Sequence, residues 1–480
     1  MTTVDLSLIS HTNVGKTTLA RTLLREDVGI IRDEAHVTEV SEPYTLMQTE
    51  PGDLLRLWDT PGFGDSIRLL KRLQQGDNAL GWFLSQVWDR YTDRPFWSSQ
   101  QAIRNVREQA DVVLYLVNAS EDPGAAGYVD PEMQILEWIG KPILVLLNQL
   151  GPPRPLEEEK ADIRRWSAHL KDRTSVRDTL VFDAFARCWV QEHVLLDHIA
   201  AVLPEEKQPG FKRLAAAWRK RNLETFGSSM EVLARQLAGT SVDSESVPTR
   251  KLNDKARAWL GSLAGGDDQK DPVLEGAMRA LAGRLDARVR GATDDLIELH
   301  GLSGRAAAQV LERMGGAYAV KDAADPGKAT VLGAAVSGAL GGLAADLMAG
   351  GLTFGAGVLI GGLVGAAGMR GVAKAYNLAR GSDDTQIRWS AEFLNGRVTA
   401  AVMRYLAVAH FGRGRGDFVE AEYPAHWQET VARIVAGRED ALEEIWSEAG
   451  KTDSAHAMTK PLRVQVESIT AAVLEELYPA

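Results

Sequence analysis

A chain of 480 residues is too long for one small domain and sets an expectation of two or three. A hydrophobic share of 45% and a charged share of 25% fit an ordinary folded protein, and a formal net charge of −11 argues against a surface built broadly for nucleic acid. One cysteine, Cys188, excludes an intrachain disulfide framework and reads as a small buried apolar residue in a reducing, cytoplasmic compartment.

In chain order, residues 1–204 alternate short apolar runs with amphipathic stretches, the pattern of an α/β domain. Val4, Leu6 and Leu8 open a strand, and Thr17 to Leu24 follow at helical spacing. DLLRLWD (53–59) reads as a strand, and ADVVLYLVNAS (110–120) and KPILVLLNQ (141–149) read as central strands covered on both faces. DTLVFDAF (178–185) is a last short strand. The long connection from Asp65 to Ala110 carries Trp82, Trp88 and Trp97 and reads as a helical insertion on the sheet or, alternatively, a partner surface. The N-terminus has no basic stretch leading into an apolar core, so no secretory signal is expected.

The stretch ISHTNVGKTTL (9–19) lies between that first strand and that first helix. It follows the phosphate-gripping pattern G-x-x-x-x-G-K-S/T, with Ser10 in place of the first glycine. Ser10, Asn13, Val14, Gly15, Lys16, Thr17 and Thr18 are the candidate phosphate cradle. Such a loop converges backbone N–H groups on anionic oxygens at the positive end of a helix. Gly15 lets the main chain approach, Lys16 reaches the outer phosphates, and the Thr17 hydroxyl coordinates Mg²⁺. WDTPGFGD (58–65) follows at the end of the next strand. There Asp59 would hold the Mg²⁺ through water, and Gly62 would offer its N–H to the γ-phosphate and let the segment move when that phosphate leaves.

With these motifs the chain resembles a Ras-like P-loop GTPase of the Era/TrmE type in the translation-factor class. More narrowly, it resembles bacterial proteins that join such a domain to a helical C-terminal domain of unknown function. The resemblance implies GTP and GDP as ligands, with Mg²⁺ held by Thr17, Asp59 and a switch threonine, for which Thr38 is the candidate. It also implies base recognition by N-K-x-D after the fifth strand, where this chain has Asn148-Gln149-Leu150-Gly151. The asparagine is kept; the lysine and the aspartate are not, so guanine preference is in question and an ATPase stays an alternative. Asp183-Ala184-Phe185 stands where the family has S-A-K, so the Ala184 N–H could reach the guanine oxygen and Asp183 could supply part of the missing acid. Phe63 replaces the glutamine that orients water in Ras-like enzymes. Catalysis is then expected from Lys16, Thr38 and Gly62, with Asn13 either holding a K⁺ ion or bracing the loop, or from a group supplied by a partner or a second protomer of a homodimer.

From about Pro204 the pattern turns helical, in FKRLAAAWRKRNLETF, DPVLEGAMRALAGRL and EDALEEIWSEAG, and strands are hard to find. Residues 331–371 hold 13 of the 45 glycines, a density that marks a deliberate composition. Gly333, Ser337, Gly341 and Ala345, then Gly357, Gly361 and Gly365, recur every four residues and suggest a glycine-zippered helical hairpin at about 329–378. The 23 uncharged residues 347–369 reach the length of about 20 that a spanning helix needs, but Asp346 and the poor hydrophobicity of glycine oppose insertion. A buried hairpin, membrane insertion, and docking on a membrane surface or membrane protein all remain. Arg413 and Arg415 in HFGRGRGDF read as a solvated loop or, alternatively, a binder of an anionic headgroup or phosphate.

The expectation is a mostly parallel Ras-like sheet with flanking helices in 1–204 and a mainly α-helical domain in 205–480. The expected function is a slow GTPase switch, cytoplasmic or at the inner face of the cytoplasmic membrane, with no nucleic-acid partner. The alternative is a scaffold or membrane-associated interaction protein with a degenerate nucleotide site.

Overall fold

The computed structural model describes residues 1–25, 42–74, 81, 84, 93–150, 154–184, 188–248, 272–302, 376–380, 384–410 and 425–479. It divides into two compact units, the first chiefly Met1–Glu224 and the second Thr225–Val408 with Val419–Pro479. The expected boundary at 204 falls ahead of the helix whose first half is grouped with the first unit.

The first unit runs β1 (Thr3–Ser10), α1 (Lys16–Leu24), β2 (Glu42–Gln48), β3 (Leu54–Asp59), α2 (Ser66–Leu73), α3 (Arg94–Glu108) and β4 (Val112–Asn118). It continues with α4 (Val129–Ile139), β5 (Ile143–Asn148), α5 (Leu156–Leu170), β6 (Val176–Val181), α6 (Trp189–Val202) and the start of α7 (Gln208–Ser241). The sheet order is β2-β3-β1-β4-β5-β6, parallel throughout except for β2. The continuous apolar run of β4 serves two cores by strand alternation. Val112, Leu114 and Leu116 face a cluster with Leu19, Leu23, Leu195, Phe211 and Trp218, while Val113, Tyr115 and Val117 face Phe63, Leu69, Phe96, Met133 and Trp166. With both faces covered, the strand ends at the C-terminal edge of the sheet are where loops gather, and ligands of open α/β sheets bind there.

The second unit holds the rest of α7, β7 (Ser244–Pro248), α8 (Pro272–Leu299), β8 (Tyr376–Arg380), β9 (Asp384–Trp389), α9 (Ala391–Ala409), α10 (Ala425–Ala436), α11 (Glu439–Ala449) and α12 (Ala455–Leu477). It is mainly helical, as expected. It also contains a three-stranded antiparallel sheet in the order β7-β9-β8, where the sequence offered no strand. The reason is that β9 buries only Thr385, Ile387 and Trp389 and alternates them with Asp384, Gln386 and Arg388, too few apolar positions to stand out. The glycine-rich hairpin lies outside the described residues except for its last positions, which open β8. Among the described residues no helix is long and apolar enough to cross a membrane.

Candidate nucleotide site

The Ser10–Thr18 loop leaves β1 and enters α1 through two left-handed residues, Asn13 (φ 65) and Gly15 (φ 96). Asparagine tolerates this region and glycine adopts it freely. Gly15 is also hemmed in, since a Cβ there would stand 2.8 Å from Asn148 Nδ2. It caps α1 without a side-chain hydrogen bond, so the first-turn N–H groups are not consumed by a capping side chain. Ser10 needs no left-handed backbone; it ends β1 as an ordinary strand residue and its Oγ accepts from Lys16 Nζ at 2.9 Å. The missing first glycine is therefore replaced by a residue that holds the lysine.

Lys16 is 7% exposed. Burial pulls its pKa below the ordinary lysine value, against the raising pull of Asp59 and Glu132. A Cβ on Gly62 would lie 3.0 Å from Lys16 Nζ and 3.1 Å from Thr12 Cα, a tight approach that glycine accommodates without moving the loop. That segment is pinned by Phe63 N–H donating to Ser10 O at 2.9 Å and Thr60 Oγ1 donating to Leu8 O at 2.5 Å. Phe63 is 1% exposed and packs in the sheet core, which explains why a phenylalanine replaces a water-orienting side chain.

Thr17 Oγ1 donates to Asp59 Oδ2 at 2.8 Å. A hydroxyl and a buried carboxylate brought together at a loop of backbone donors are the hard oxygen ligands Mg²⁺ takes beside phosphates, so the donor set fits that ion. Thr38, the expected third ligand, lies outside the described residues. Asn13 is exposed, and its backbone carbonyl accepts from Gln149 Nε2 at 3.2 Å.

Asn148 is fully buried and joins three loops. Its Nδ2 donates to Val14 O at 2.6 Å and its Oδ1 accepts from Ala184 N at 2.8 Å. The Ala184 N–H, expected to face the base, is thus donated to Asn148. Thr22 Oγ1 donates to Ala184 O at 3.0 Å, tying α1 to the same corner. Asp183, 3% exposed, accepts from Leu150 N–H through Oδ2 at 2.7 Å. Ser10, Lys16, Thr17, Asp59 and Gly62 meet at the start of α1, and Val14, Asn148, Asp183 and Ala184 meet beyond the ends of β5 and β6. Thr18 is buried in α1, where its carbonyl, 2.8 Å from Thr22 Oγ1, shares that hydroxyl's single hydrogen with Ala184 O.

One buried group escaped the sequence reading. Glu132 on α4 is completely buried and accepts from Tyr115 Oη at 2.7 Å, while its Oε1 lies 2.8 Å from His11 Nδ1. His11 stacks on Tyr128 with ring centroids 4.4 Å apart. Burial, with Glu132 adding to it, pushes the Tyr115 phenol up. The signal was available: Glu132 falls on the buried helical stripe Val129, Met133, Leu136, where a charge needs a partner.

Residues 5–149 match the family described as 50S ribosome-binding GTPase. Among curated relatives, the chain is 26% identical over 156 residues to a tRNA modification GTPase MnmE of Ligilactobacillus salivarius, covering 32% of this chain and 26% of that one. It is 26% identical over 182 residues to the GTPase Era of Geobacter metallireducens, covering 37% of this chain and 49% of that one. The match therefore spans about half or less of these relatives. Solved structures that align include Era in complex with MgGDPNP and a piece of 16S ribosomal RNA, at 19% identity and a TM-score of 0.32, covering 43% of this chain and 58% of that one. An Era of Aquifex aeolicus bound to GDP.AlF4- aligns with the same figures. Residues 171–475 match the family described as domain of unknown function DUF3482, and since that match takes in more than half of the chain, the protein belongs to the DUF3482 family, with a P-loop GTPase domain ahead of it.

Proposed function

We propose that the first unit binds GTP with Mg²⁺, hydrolyses it slowly, and acts as a nucleotide-dependent switch on the helical region. The observation that carries this reading is the meeting of Lys16, Ser10 and Gly62 with the Thr17–Asp59 pair at one strand end. Thr17 and Asp59 would hold Mg²⁺, which would supply positive charge to offset the negative charge of the phosphates. The chain's own residues supply the rest: Lys16 is held ready by Ser10, and Gly62 presents main chain to the γ-phosphate. A γ-phosphate accepting from the Gly62 N–H would hold the D-T-P-G segment in place, and its departure would release that segment. Phe63 leaves no water-orienting side chain at its position, which supports slow intrinsic turnover. Acceleration is assigned to K⁺ at Asn13, to a partner, or to a second protomer.

Calorimetry of GTP, GDP and ATP with Mg²⁺, followed by phosphate release, tests the reading. Lys16→Ala should abolish triphosphate binding; retained binding overturns the site. Turnover that is equal in K⁺ and Na⁺ removes the ion from the proposal, as does an unchanged ion response in Asn13→Ala. Docking of residues 329–378 on a membrane surface or membrane protein belongs to the same proposal, and release by high salt alone would rule out insertion. The proposal assigns no RNA to this chain, whose formal net charge is −11.

A further inference from the structure

Burying a carboxyl group is costly unless its oxygens find donors. Glu132 on α4 is fully buried and meets that condition with two residues from separate elements. Its Oε2 accepts from Tyr115 Oη of β4 at 2.7 Å, and its Oε1 lies 2.8 Å from Nδ1 of His11 in the phosphate loop. An acceptor on that side places an imidazole hydrogen on Nδ1. The ring is also fixed from its face. It stacks on Tyr128 with 18° between planes, and Tyr128 Oη donates to Glu121, which accepts from Asn118 at the end of β4. The main chain of His11 sits where the loop meets the D-T-P-G segment. Its carbonyl accepts from the Ser10 hydroxyl, which turns the Ser10 lone pairs toward Lys16 Nζ at 2.9 Å. It forms a parallel bridge with Phe63, whose N–H donates to Ser10 O at 2.9 Å. On its other side, Thr12 Cα lies 3.1 Å from where a Gly62 Cβ would stand. Displacing His11 therefore moves Ser10, and with it the lysine and the seat of Gly62. The far side of the loop is held separately, by Asn148 on Val14 O.

We propose that Glu132 is a positioning residue for the γ-phosphate: through His11 it sets the rim of the loop on which Lys16 and Gly62 are placed. The inference rests on the nucleotide reading above and deepens it. Glu132 needs no contact with the nucleotide to do this. A group already held in its bound position loses less freedom when a ligand arrives, so the tie favours a ligand that uses this rim over one that does not. GTP calls on Lys16 and Gly62 at its outer phosphate, whereas GDP has no γ-phosphate to present to Gly62. Loosening His11 is therefore felt chiefly by the triphosphate.

The test titrates the full chain, in Mg²⁺, with GDP and with GDPNP, a GTP analogue that resists hydrolysis, by calorimetry. His11→Ala should weaken GDPNP about tenfold or more and leave GDP within about threefold, the difference reporting a rim that only the outer phosphate uses. Two further variants separate the contacts of the ring. His11→Asn sets an amide nitrogen near the place of Nδ1 and should recover most of the GDPNP affinity. His11→Phe keeps the stack on Tyr128, has no donor for Glu132 and should stay as weak as alanine. A general loosening of the fold would not follow that order. Should the His11 variants fail to fold, Tyr115→Phe leaves the loop unaltered and removes one of the two donors on Glu132. It then carries the test, with a smaller loss of about two- to fivefold, again confined to GDPNP. No loss, or equal losses for both nucleotides, would overturn the role of Glu132 and leave the nucleotide site standing. Normal GDPNP binding by H11F beside weak binding by H11N would do the same. Failure of the unaltered chain to bind either nucleotide would overturn the site and this inference together.

Discussion

Asn148→Ala removes the side chain that fastens the phosphate loop to the base corner. Its amide makes two buried hydrogen bonds, to Val14 O at 2.6 Å and from Ala184 N at 2.8 Å, and both partners are themselves buried. Truncation strands one acceptor and one donor. Each stranded group costs ~1–3 kcal/mol, so the total is about 2–6 kcal/mol before any water enters the space left behind. The variant also removes the atom packed over Gly15, so the left-handed turn loses its backing. Urea unfolding followed by circular dichroism reads the stability, and calorimetry with GDP and Mg²⁺ reads the site. Both should fall. Asn148→Asp sharpens the test: its carboxylate can still accept from Ala184 N–H but meets Val14 O with a second acceptor, so it should be no better than alanine at the phosphate loop. A loss below ~1 kcal/mol with unchanged GDP affinity would refute the idea that this residue is the clamp.

Gly15→Ala places a Cβ 2.8 Å from Asn148 Nδ2 on a backbone at φ 96, and the left-handed conformation alone costs ~1–2 kcal/mol for an L-residue. A lower urea midpoint and weaker GDP binding are expected, and an unchanged midpoint would count against the turn described. Glu159, raised from 4.5 to about 7, favours its neutral form in the folded state. The stability it contributes is full below about pH 4.5 and is lost as pH rises through about 7. At 1.36 kcal/mol per pKa unit the loss is ~3 kcal/mol at most, and partial exposure reduces it to about 1–2 kcal/mol. Denaturation curves at pH 4.5 and 8 should show Glu159→Gln flattening this part of the pH dependence.

What could be read in the chain and what could not follows from how each element declares itself. β4 and β5 are buried on both faces, so their sequences are unbroken apolar runs and their places in the sheet were plain. β2 was missed because Glu42–Gln48 is an edge strand of mixed polarity, with a register shift between Thr45 and Met47 that breaks the two-residue alternation. The meeting of the Ser10–Thr18 loop with the D-T-P-G segment was legible because the backbone favours particular residues there: Gly15 for its φ, Gly62 for its closeness to Lys16. The Asn148 clamp and the His11–Glu132–Tyr115 group were not, since each joins residues separated in sequence and no local pattern announces such a pairing; the Ser10–Lys16 bond spans only six residues but replaces the glycine that the motif expects.

The edge of the first unit offers the remaining prediction. The change from mixed to helical pattern near Pro204 suggests a boundary there, but helices that follow a sheet can belong to it. The first half of α7 carries Phe211 and Leu214, both fully buried, and Trp218, 2% exposed, in the same core as Leu6, Leu114 and Leu146 of the sheet. Burying side chains of this size contributes ~1.5–3 kcal/mol each, about 5–9 kcal/mol for the three, against a typical domain stability of ~5–15 kcal/mol. Polar ties run the same way. Arg213 makes two hydrogen bonds to the buried carboxylate of Asp53, holding its pKa well below the ordinary range, Trp218 Nε1 donates to Glu192 at 2.6 Å, and Asn222 accepts from Arg25 at the end of α1. A fragment 1–204 would expose that core and leave Asp53 and Glu192 without these donors, whereas a fragment 1–224 keeps them. Expressed side by side, 1–224 should melt cooperatively while 1–204 should be soluble only as an aggregate-prone or loosely packed species with a much lower transition temperature. Equal melting temperatures would mean that α7 merely leans on the sheet, and the functional unit would then end where the apolar alternation does.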